Sequence, residues 1–573
     1  MKNREVAKLL NDIAEILEIQ NVEFKPRAYR RAAQGIETFP NDIEELYKEN
    51  KLRMIPGIGE SIEAKIKEYL DTGKSTYLDD LRKDLPRGLV DLLQIEGIGP
   101  KKAMELFKTL KITNIEDLAA VAEKGEIRKL KGFSEKSERN IIEAIKFFRT
   151  SQERVLLGYI LPLAKTLERE LSKIDGVQKI SLAGSLRRKK DTIRDVDIVI
   201  ASNKAPEIIN SFTRLPEVSK IIAKGTTKCS VLLSEGIQAD LRVVDLESYG
   251  STLQYFTGSK EHNITLRKLA ILKDLKLNEY GLFNRMSDKK LAGQNEEEIY
   301  NQLGLDYIEP ELRENRGEIE AASKKKLPKL ITLQDVKGDL HVHTNWSDGV
   351  HSIQEVAETA RLLGYEYIAI CDHSKGMPIA HGLSEERIFE QIKEIEKINR
   401  NFDNFTILPG IEANIDSKGN LDISNSVLKE LDVVVASIHS GFKQNETQMT
   451  NRILTAIHND QVTIIGHPTG RLLNKREPYH VNLPKIFQAA SEQNVFLEIN
   501  AYPDRLDLSD IDCFKARDHH VCFSLGSDAH SKDHLRYLEL GVFTARRGWL
   551  EKKNVINTMN RKEIVKNLKR NFH

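Results

Sequence analysis

From residue 334 onward, apolar runs of strand length alternate with helical segments, and the residues closing the strand-like runs are repeatedly histidines or carboxylates. DLHVHT, YEYIAICDH, FTILPGIEANI, VVVASIH, VTIIGHP, VFLEIN, VCFSLGSDAH and VFTARRG read as strands, separated by helices such as SIQEVAETARLLG, RIFEQIKEIEKINR and MTNRILTAIH. Repeated units of this length imply an α/β barrel or a closely related sheet. Strand C-terminal ends share one mouth in such folds. Nine metal-capable side chains fall there: His341, His343, Asp348, His373, Glu412, His439, His467, Asp528 and His530. A lone His-x-His carries little weight, whereas nine ligand types at the strand ends of one repeating pattern describe a metal pocket. Asp372, beside His373, reads as a carboxylate that orients a ligand.

The first 150 residues read as helical. Val6, Leu9, Leu10, Ile13, Ile16 and Leu17 recur at helical spacing, and a second helix starts near Pro26 and stops before Pro40. Arg27, Arg30 and Arg31 share a face of that helix, a basic stripe open to phosphates. An internal repeat follows: MIPGIGESIEAKIKEYL at 54–70 and QIEGIGPKKAMELFKTL at 94–110. In each, two glycines (Gly57 and Gly59, then Gly97 and Gly99) precede a helix, so backbone amides at the helix N-terminus can hold a phosphate. The pattern resembles the helix-hairpin-helix, a sequence-independent binder of the DNA backbone. Lys65, Lys101 and Lys102 add charge nearby, and a degenerate third copy at 129–145 carries Ser134 in place of the second glycine.

Residues 151–315 hold a second cluster of chemistry. VQKISLAGSLRRKKDTIRDVDIVIAS reads as strand, Gly-Ser turn, basic loop and strand, with Asp195 and Asp197 alternating onto one face. KCSVLLSEGIQADLRVVD supplies a strand pair carrying Asp240. Three carboxylates gathered on strand faces repel one another unless cations lie between them, the arrangement that holds two Mg²⁺ ions at a transferring phosphate.

The order Gly184-Ser185, Arg187-Arg188, Asp195-x-Asp197, Asp240 and YFTGS at 255–259 closely resembles family X DNA polymerases of the nucleotidyltransferase superfamily. The resemblance implies that Asp195, Asp197 and Asp240 are catalytic and bind two Mg²⁺ or Mn²⁺, with Asp240 activating the primer 3′-hydroxyl. It implies that Gly184, Ser185, Arg188, Tyr255, Phe256, Gly258 and Asn263 bind the incoming nucleotide; Lys189 stands where many relatives have glycine. AYRRAA and PGIGESIEAKI are similar to the family's small 5′-phosphate-binding domain. That similarity implies DNA contact by Arg30, Arg31, Gly57, Gly59, Gly97, Gly99, Lys101 and Lys102, and a Schiff-base lyase role for Lys65. Ser61 replaces a lysine common in animal members.

HxH…SDG, DH, Glu412 after PGI, SIH, GHP and SDAH resemble the polymerase and histidinol phosphatase (PHP) superfamily, which implies up to three Mn²⁺, Zn²⁺ or Fe²⁺ at the nine positions named above and hydrolysis of phosphoesters. The whole chain is thus similar to prokaryotic family X DNA polymerases with a C-terminal PHP domain. The expected fold is multidomain α+β and α/β. A helical 5′-phosphate/lyase-like domain spans 1–85, helix-hairpin-helix fingers 86–150, a nucleotidyltransferase palm 151–245 and a nucleotide-selecting thumb 246–315. A linker occupies 316–333 and a distorted (βα)7 PHP barrel 334–573.

The expected activities are gap-filling DNA synthesis and 3′-5′ exonuclease, with AP endonuclease or 3′-phosphatase action, on gapped or primed DNA bearing a 5′-phosphate and with deoxynucleoside triphosphates. Two alternatives stand beside it: a barrel acting mainly as a small-phosphoester phosphatase, and a barrel that binds metal only to stabilise a DNA-binding scaffold. Composition bounds these readings. The 573 residues exceed one ordinary core. The 87 basic and 86 acidic side chains leave a net charge of +1, so DNA must be held by local patches and backbone donors rather than a histone-like coat. Four cysteines without paired spacing, no signal-peptide pattern and no apolar run long enough for a bilayer predict a cytoplasmic protein without membrane association. No coiled-coil zipper is evident, and a monomer is expected.

Overall fold

Strand β4 (Asp195–Ala201) lies second in a five-stranded sheet of order β2-β4-β7-β6-β5 in a computed structural model that describes residues 2–19, 22–38, 43–48, 50–55, 57–83, 92, 95, 98–130, 132–152 and 154–569. Its companions are β2 (Lys179–Leu182), β5 (Val218–Lys224), β6 (Lys228–Leu233) and β7 (Gln238–Val244). β4 and β7 run parallel and the other pairs antiparallel. Alternate residues of β4 and β7 (Val196, Ile198, Ala239, Leu241) bury on the helix Leu157–Ser172, which leaves the opposite face for carboxylates. The Gly-Ser segment is a short helical turn, Gly184–Arg187, rather than an open turn. Edge strand β5 has no sequence alternation to announce it, because most of its residues are exposed. A two-stranded ribbon, β1 (Val155–Leu156) with β3 (Thr192–Ile193), and a three-stranded sheet of β8 (Leu275–Asn278), β9 (Gly281–Asn284) and β10 (Lys290–Ala292) flank it.

Towards the N-terminus the repeat is visible in the backbone. Ile55 N donates to Leu52 O and Ile58 N to Ile55 O; Ile95 to Leu92 and Ile98 to Ile95, then Leu130 to Ile127 and Phe133 to Leu130, repeat the pattern. The helices Glu60–Thr72, Pro100–Leu110 and Glu135–Gln152 follow these three turns. The first turn buries Ile55, Ile58, Ile62 and Ile66 in one core with Val6, Leu10 and Ile13, while the other two share a second core through Ile98, Leu106, Phe133 and Ile141.

Seven parallel strands in sequential order form the C-terminal sheet: β11 (Gly338–Val342), β12 (Tyr367–Ile370), β13 (Thr406–Asn414), β14 (Val433–Ser437), β15 (Ile464–Ile465), β16 (Phe496–Asn500) and β17 (Phe523–Gly526). A parallel bridge between Val342 and Ala529 nearly closes the first strand onto the last. VFTARRG, expected as a strand, belongs to the helix Leu538–Arg547. Leu538, Val542 and Ala545 all bury, a helical spacing that the local β-branched residues obscure.

The barrel packs directly on the rest of the chain. Leu506 and Leu540 enter the core of the five-stranded sheet's domain, and Trp549 joins the cluster of Leu266, Ile299 and Leu312. At Gly158 a Cβ atom would sit 2.7 Å from Pro503 Cβ, so only glycine permits the approach. Residues 316–333, read as a connector, include the helix Glu318–Ser323, whose Glu318 is buried against His262 Nδ1 at 2.7 Å. No helix among the described residues is long and apolar enough to cross a membrane.

Two candidate active sites

Register builds the first site. Asp197 pairs with Asp240 across the parallel β4–β7 ladder and Asp195 lies two residues earlier, so all three side chains share one face. Burial first, and then the charges of Asp195 and Asp240, push the Asp197 carboxyl up to about 7. Asp240 accepts from Ser230 Oγ and from Gln238 Nε2 at 2.9 Å. An all-carboxylate set strained in this way fits hard divalent cations bound through oxygen.

Gly184, at φ +61°, roofs the trio: a Cβ there would lie 2.1 Å from Asp197 Oδ2. Ser185 follows in the same helical turn. Arg188 donates through Nη1 to Thr257 O and through Nε to Glu314 Oε1 at 3.0 Å. Arg187 forks onto Glu296, which also receives the fully buried Arg313. Tyr255 and Phe256 meet edge to face at 5.2 Å, with the Arg242 guanidinium 4.2 Å over the Phe256 ring. Asn263 ties this bend down: its Nδ2 donates to Tyr255 O at 2.7 Å and its Oδ1 accepts from Gln254 at 2.7 Å. Gly258, at φ +66°, lies against Arg188 Nη1.

In the barrel mouth, Glu412 on β13 is almost fully buried, and three histidines converge on it: His373 Nδ1 at 2.8 Å, His467 Nε2 at 3.0 Å and His439 Nε2 at 3.2 Å. A second group holds His341, His343 and Asp528, with His343 Nε2 3.2 Å from Asp528 Oδ1. A third joins His343, Asp348, His373 and His530, with His530 Nε2 3.3 Å from Asp348. Eight of the nine side chains thus merge into three overlapping donor sets, and His467 adjoins them through Glu412. Burial first, and then the charges of His530 and His373, depress His343 to about 3, so it stays a neutral ligand. Burial opposes charge on His530, yet Asp348 outweighs it and raises that imidazole to about 10.

Imidazole nitrogens Nδ1 of His343, His439 and His467 are buried without a hydrogen-bond partner. Overlapping sets of buried imidazole and carboxylate donors fit transition-metal cations. Asp372 accepts from Thr344, Ser347 and Gln391.

Two residues unforeseen in the sequence complete this pocket. Glu498 on β16 accepts from His341 Nδ1 at 2.6 Å and from His467 N at 2.7 Å. Asn500 Nδ2 bridges Glu498 and Asp528. An acidic residue inside the apolar strand VFLEIN was the available signal.

The N-terminal residues lie on their own surfaces. Gly57, at φ +88°, turns where a Cβ would meet Ala32 N at 3.0 Å, beside the Arg31 side chain. Gly59 and Gly99 cap their helices. Arg30 is forked onto Glu18, and Lys102 lies 5.2 Å over the Phe133 ring. Gly97 and the side chain of Lys101 lie outside the described residues. In the third turn Ser134 N donates to Ser137 Oγ at 2.7 Å, so that backbone amide already has an acceptor. Lys65 Nζ donates to Ser61 and stands 4.4 Å over the Tyr77 ring; burial first, and then Lys25, lower its pKa.

Comparison with known proteins follows this layout. Sequence models match for a helix-hairpin-helix domain at residues 1–75, a SAM-like helix-hairpin-helix tandem at 89–146, the DNA polymerase beta thumb at 252–314 and the PHP domain at 339–502. The chain is 40% identical over 574 residues to the DNA polymerase/3′-5′ exonuclease PolX of Bacillus subtilis, covering 100% of both chains. It is also 33% identical over 232 residues to a probable phosphatase of Thermoanaerobacter sp., covering 38% of this chain and 89% of that one.

Proposed function

Because the chain belongs to the PolX family of DNA polymerase/3′-5′ exonucleases, we propose that it fills short gaps during DNA repair in the cytoplasm and processes the same 3′ ends in its barrel. The observation that carries this reading is the Asp197–Asp240 register beneath Gly184, in one chain with a Glu412-centred histidine pocket. DNA-binding turns upstream favour DNA over small phosphoesters as the barrel's substrate, so 3′-5′ exonuclease, AP endonuclease and 3′-phosphatase actions are assigned to it.

Asp195 and Asp197 hold two Mg²⁺ or Mn²⁺ with Asp240, and up to three Mn²⁺, Zn²⁺ or Fe²⁺ sit among His341, His343, Asp348, His373, Glu412, His439, His467, Asp528 and His530. Bound there, the cations supply Lewis acidity and neutralise charge at the reacting phosphates. Ser185 and Arg188 bind the triphosphate, and Gly184 lets the backbone approach it. Asp240 draws the proton from the primer 3′-hydroxyl as that oxygen attacks in line and pyrophosphate leaves. Tyr255, Phe256 and Gly258 shape the sugar pocket, with Asn263 holding their bend and facing the nascent pair. In the barrel, Glu498 fixes His341 by accepting from its Nδ1, which directs the other ring nitrogen into the pocket.

The helix N-termini after Gly57–Gly59 and Gly97–Gly99 hold backbone phosphates, aided by Arg30, Arg31, Lys101 and Lys102, and the first domain takes the 5′-phosphate side of a gap. The protein acts as a monomer. Lys65, with its pKa lowered by burial, serves as the amine that attacks an abasic sugar.

A 5′-labelled primer in a gap is expected to lengthen with deoxynucleoside triphosphates and to shorten without them. Lys65→Ala is expected to keep both activities while losing the borohydride-trapped adduct with a 5′-deoxyribose phosphate end. Failure of the primer to lengthen overturns the polymerase reading, and an adduct that survives overturns the lysine's role. Gly184→Ala is expected to cut extension by about 100-fold or more, because the new methyl must displace Asp197 and the backbone must relax from its left-handed φ. Unchanged single-turnover extension by that variant would contradict the Gly184–Asp197 geometry.

A further inference from the structure

Arg547, at the end of the barrel helix Leu538–Arg547, reaches out of its own domain. Its side chain is only 3% exposed. Nη1 donates to the backbone carbonyl of Arg188 at 2.7 Å and to Glu314 Oε1 at 3.0 Å, while Nη2 donates to Asp510 at 2.7 Å. Asp510 is shared with Arg316 at 2.9 Å. The same oxygen, Glu314 Oε1, also accepts Arg188 Nε. One carboxylate oxygen therefore joins a guanidinium of the hydrolytic barrel to the guanidinium assigned above to the incoming triphosphate.

A phosphate that draws Arg188 toward it competes with Glu314 for the same guanidinium. A carboxylate with a side-chain exposure of only 12% cannot lose its partner without large cost unless another cation stays with it. Arg547 is that cation. Burial raises Glu314, but Arg547 first and then Arg188 outweigh burial and keep it below the usual carboxylate range, hence ionised. Without Arg547, Arg188 would be the nearest guanidinium left to Glu314, with Lys190 a weaker influence, and the carboxylate would hold it back more strongly. The Arg188 carbonyl would also lose a donor that fixes the loop.

We propose that Arg547 is a positioning residue of the polymerase site: it anchors Glu314 so that an incoming deoxynucleoside triphosphate can take Arg188 from it. The proposal rests on the polymerase reading above. It makes the docked barrel part of the nucleotide pocket, in addition to whatever the barrel hydrolyses.

The test uses the full chain in single-nucleotide gap filling, with 3′ trimming by the barrel measured on the same preparations. Arg547→Met keeps the apolar stem and removes the charge. It is expected to raise KM for the nucleotide about tenfold with kcat within about threefold, and to leave trimming unchanged. Adding Glu314→Gln removes the charge that captures Arg188 and is expected to bring KM back to near the wild-type value. Glu314→Gln alone, which leaves Arg547 in place, is expected to lower KM, so the proposal stays testable even if Arg547→Met folds poorly.

An unchanged KM in Arg547→Met, a loss confined to kcat, no rescue by the second substitution, or a raised KM in Glu314→Gln alone overturns the proposal. Wild-type protein that extends no primer overturns the polymerase reading instead, which separates the two failures.

Discussion

Replacing Asp197 with alanine is expected to abolish primer extension, by about 10⁴-fold or more, and to leave 3′ trimming intact. The size of the loss follows from where Asp197 stands: in register with Asp240, near Asp195 and under Gly184. On the proposed assignment Asp197 is a carboxylate shared by both cations, and alanine offers no oxygen in its place. The same geometry gives a second readout. The folded pKa of Asp197 is about 7 against an ordinary value of 3.8, so its buried charge costs stability that begins to be lost as pH rises above the lower value and is fully lost above the higher one. At pH 8 and without divalent cations, Asp197→Ala is therefore expected to melt no lower than wild type despite the cavity. Added Mg²⁺ should stabilise wild type more than the variant. Thermal melting at pH 6 and pH 8, with and without Mg²⁺, measures both; a variant that still extends primers removes the assignment altogether.

Changing Glu412 to glutamine is expected to produce the converse phenotype: trimming falling by about 10³-fold or more while extension persists. Glu412 is buried, and although burial works against its charge, His439, His373 and His341 outweigh it and hold the carboxyl far below its usual range. Glutamine keeps the shape and loses the anion that three imidazoles face. Bound metal, measured by elemental analysis, is expected to fall with the trimming rate. His341→Ala should behave in the same way, because His341 links Glu498 to the same pocket. Retention of full metal content with lost trimming would shift the role of Glu412 from holding cations to handling protons.

Much of this was legible in the residues. Asp195, Asp197 and Asp240 announce themselves because period-two alternation puts acids where a β-strand should be apolar. The nine candidate ligands of the barrel do so because they recur near the same end of successive apolar runs. Legibility failed where the deciding contact is distant in sequence. Glu498 sits inside VFLEIN and looks like an isolated acid until His341 is brought to it. VFTARRG has β-branched residues and the spacing of a core helix at once, and burial on the barrel decides for the helix. Arg547 lies in that misread segment, 359 residues from Arg188, and nothing local distinguishes it from an ordinary arginine at a helix C-terminus. In the third hairpin the sequence shows Ser134 in place of glycine, while the bond from Ser134 N to Ser137 Oγ required coordinates.

Leu506, Leu540 and the Gly158–Pro503 approach give the chain a property that a list of domains hides. Cutting it near residue 333 would not yield two finished proteins, because each piece would expose an oily scar where the other had been. The seam is filled with side chains shared across it, so the two parts are joined by packing as well as by the chain that links them.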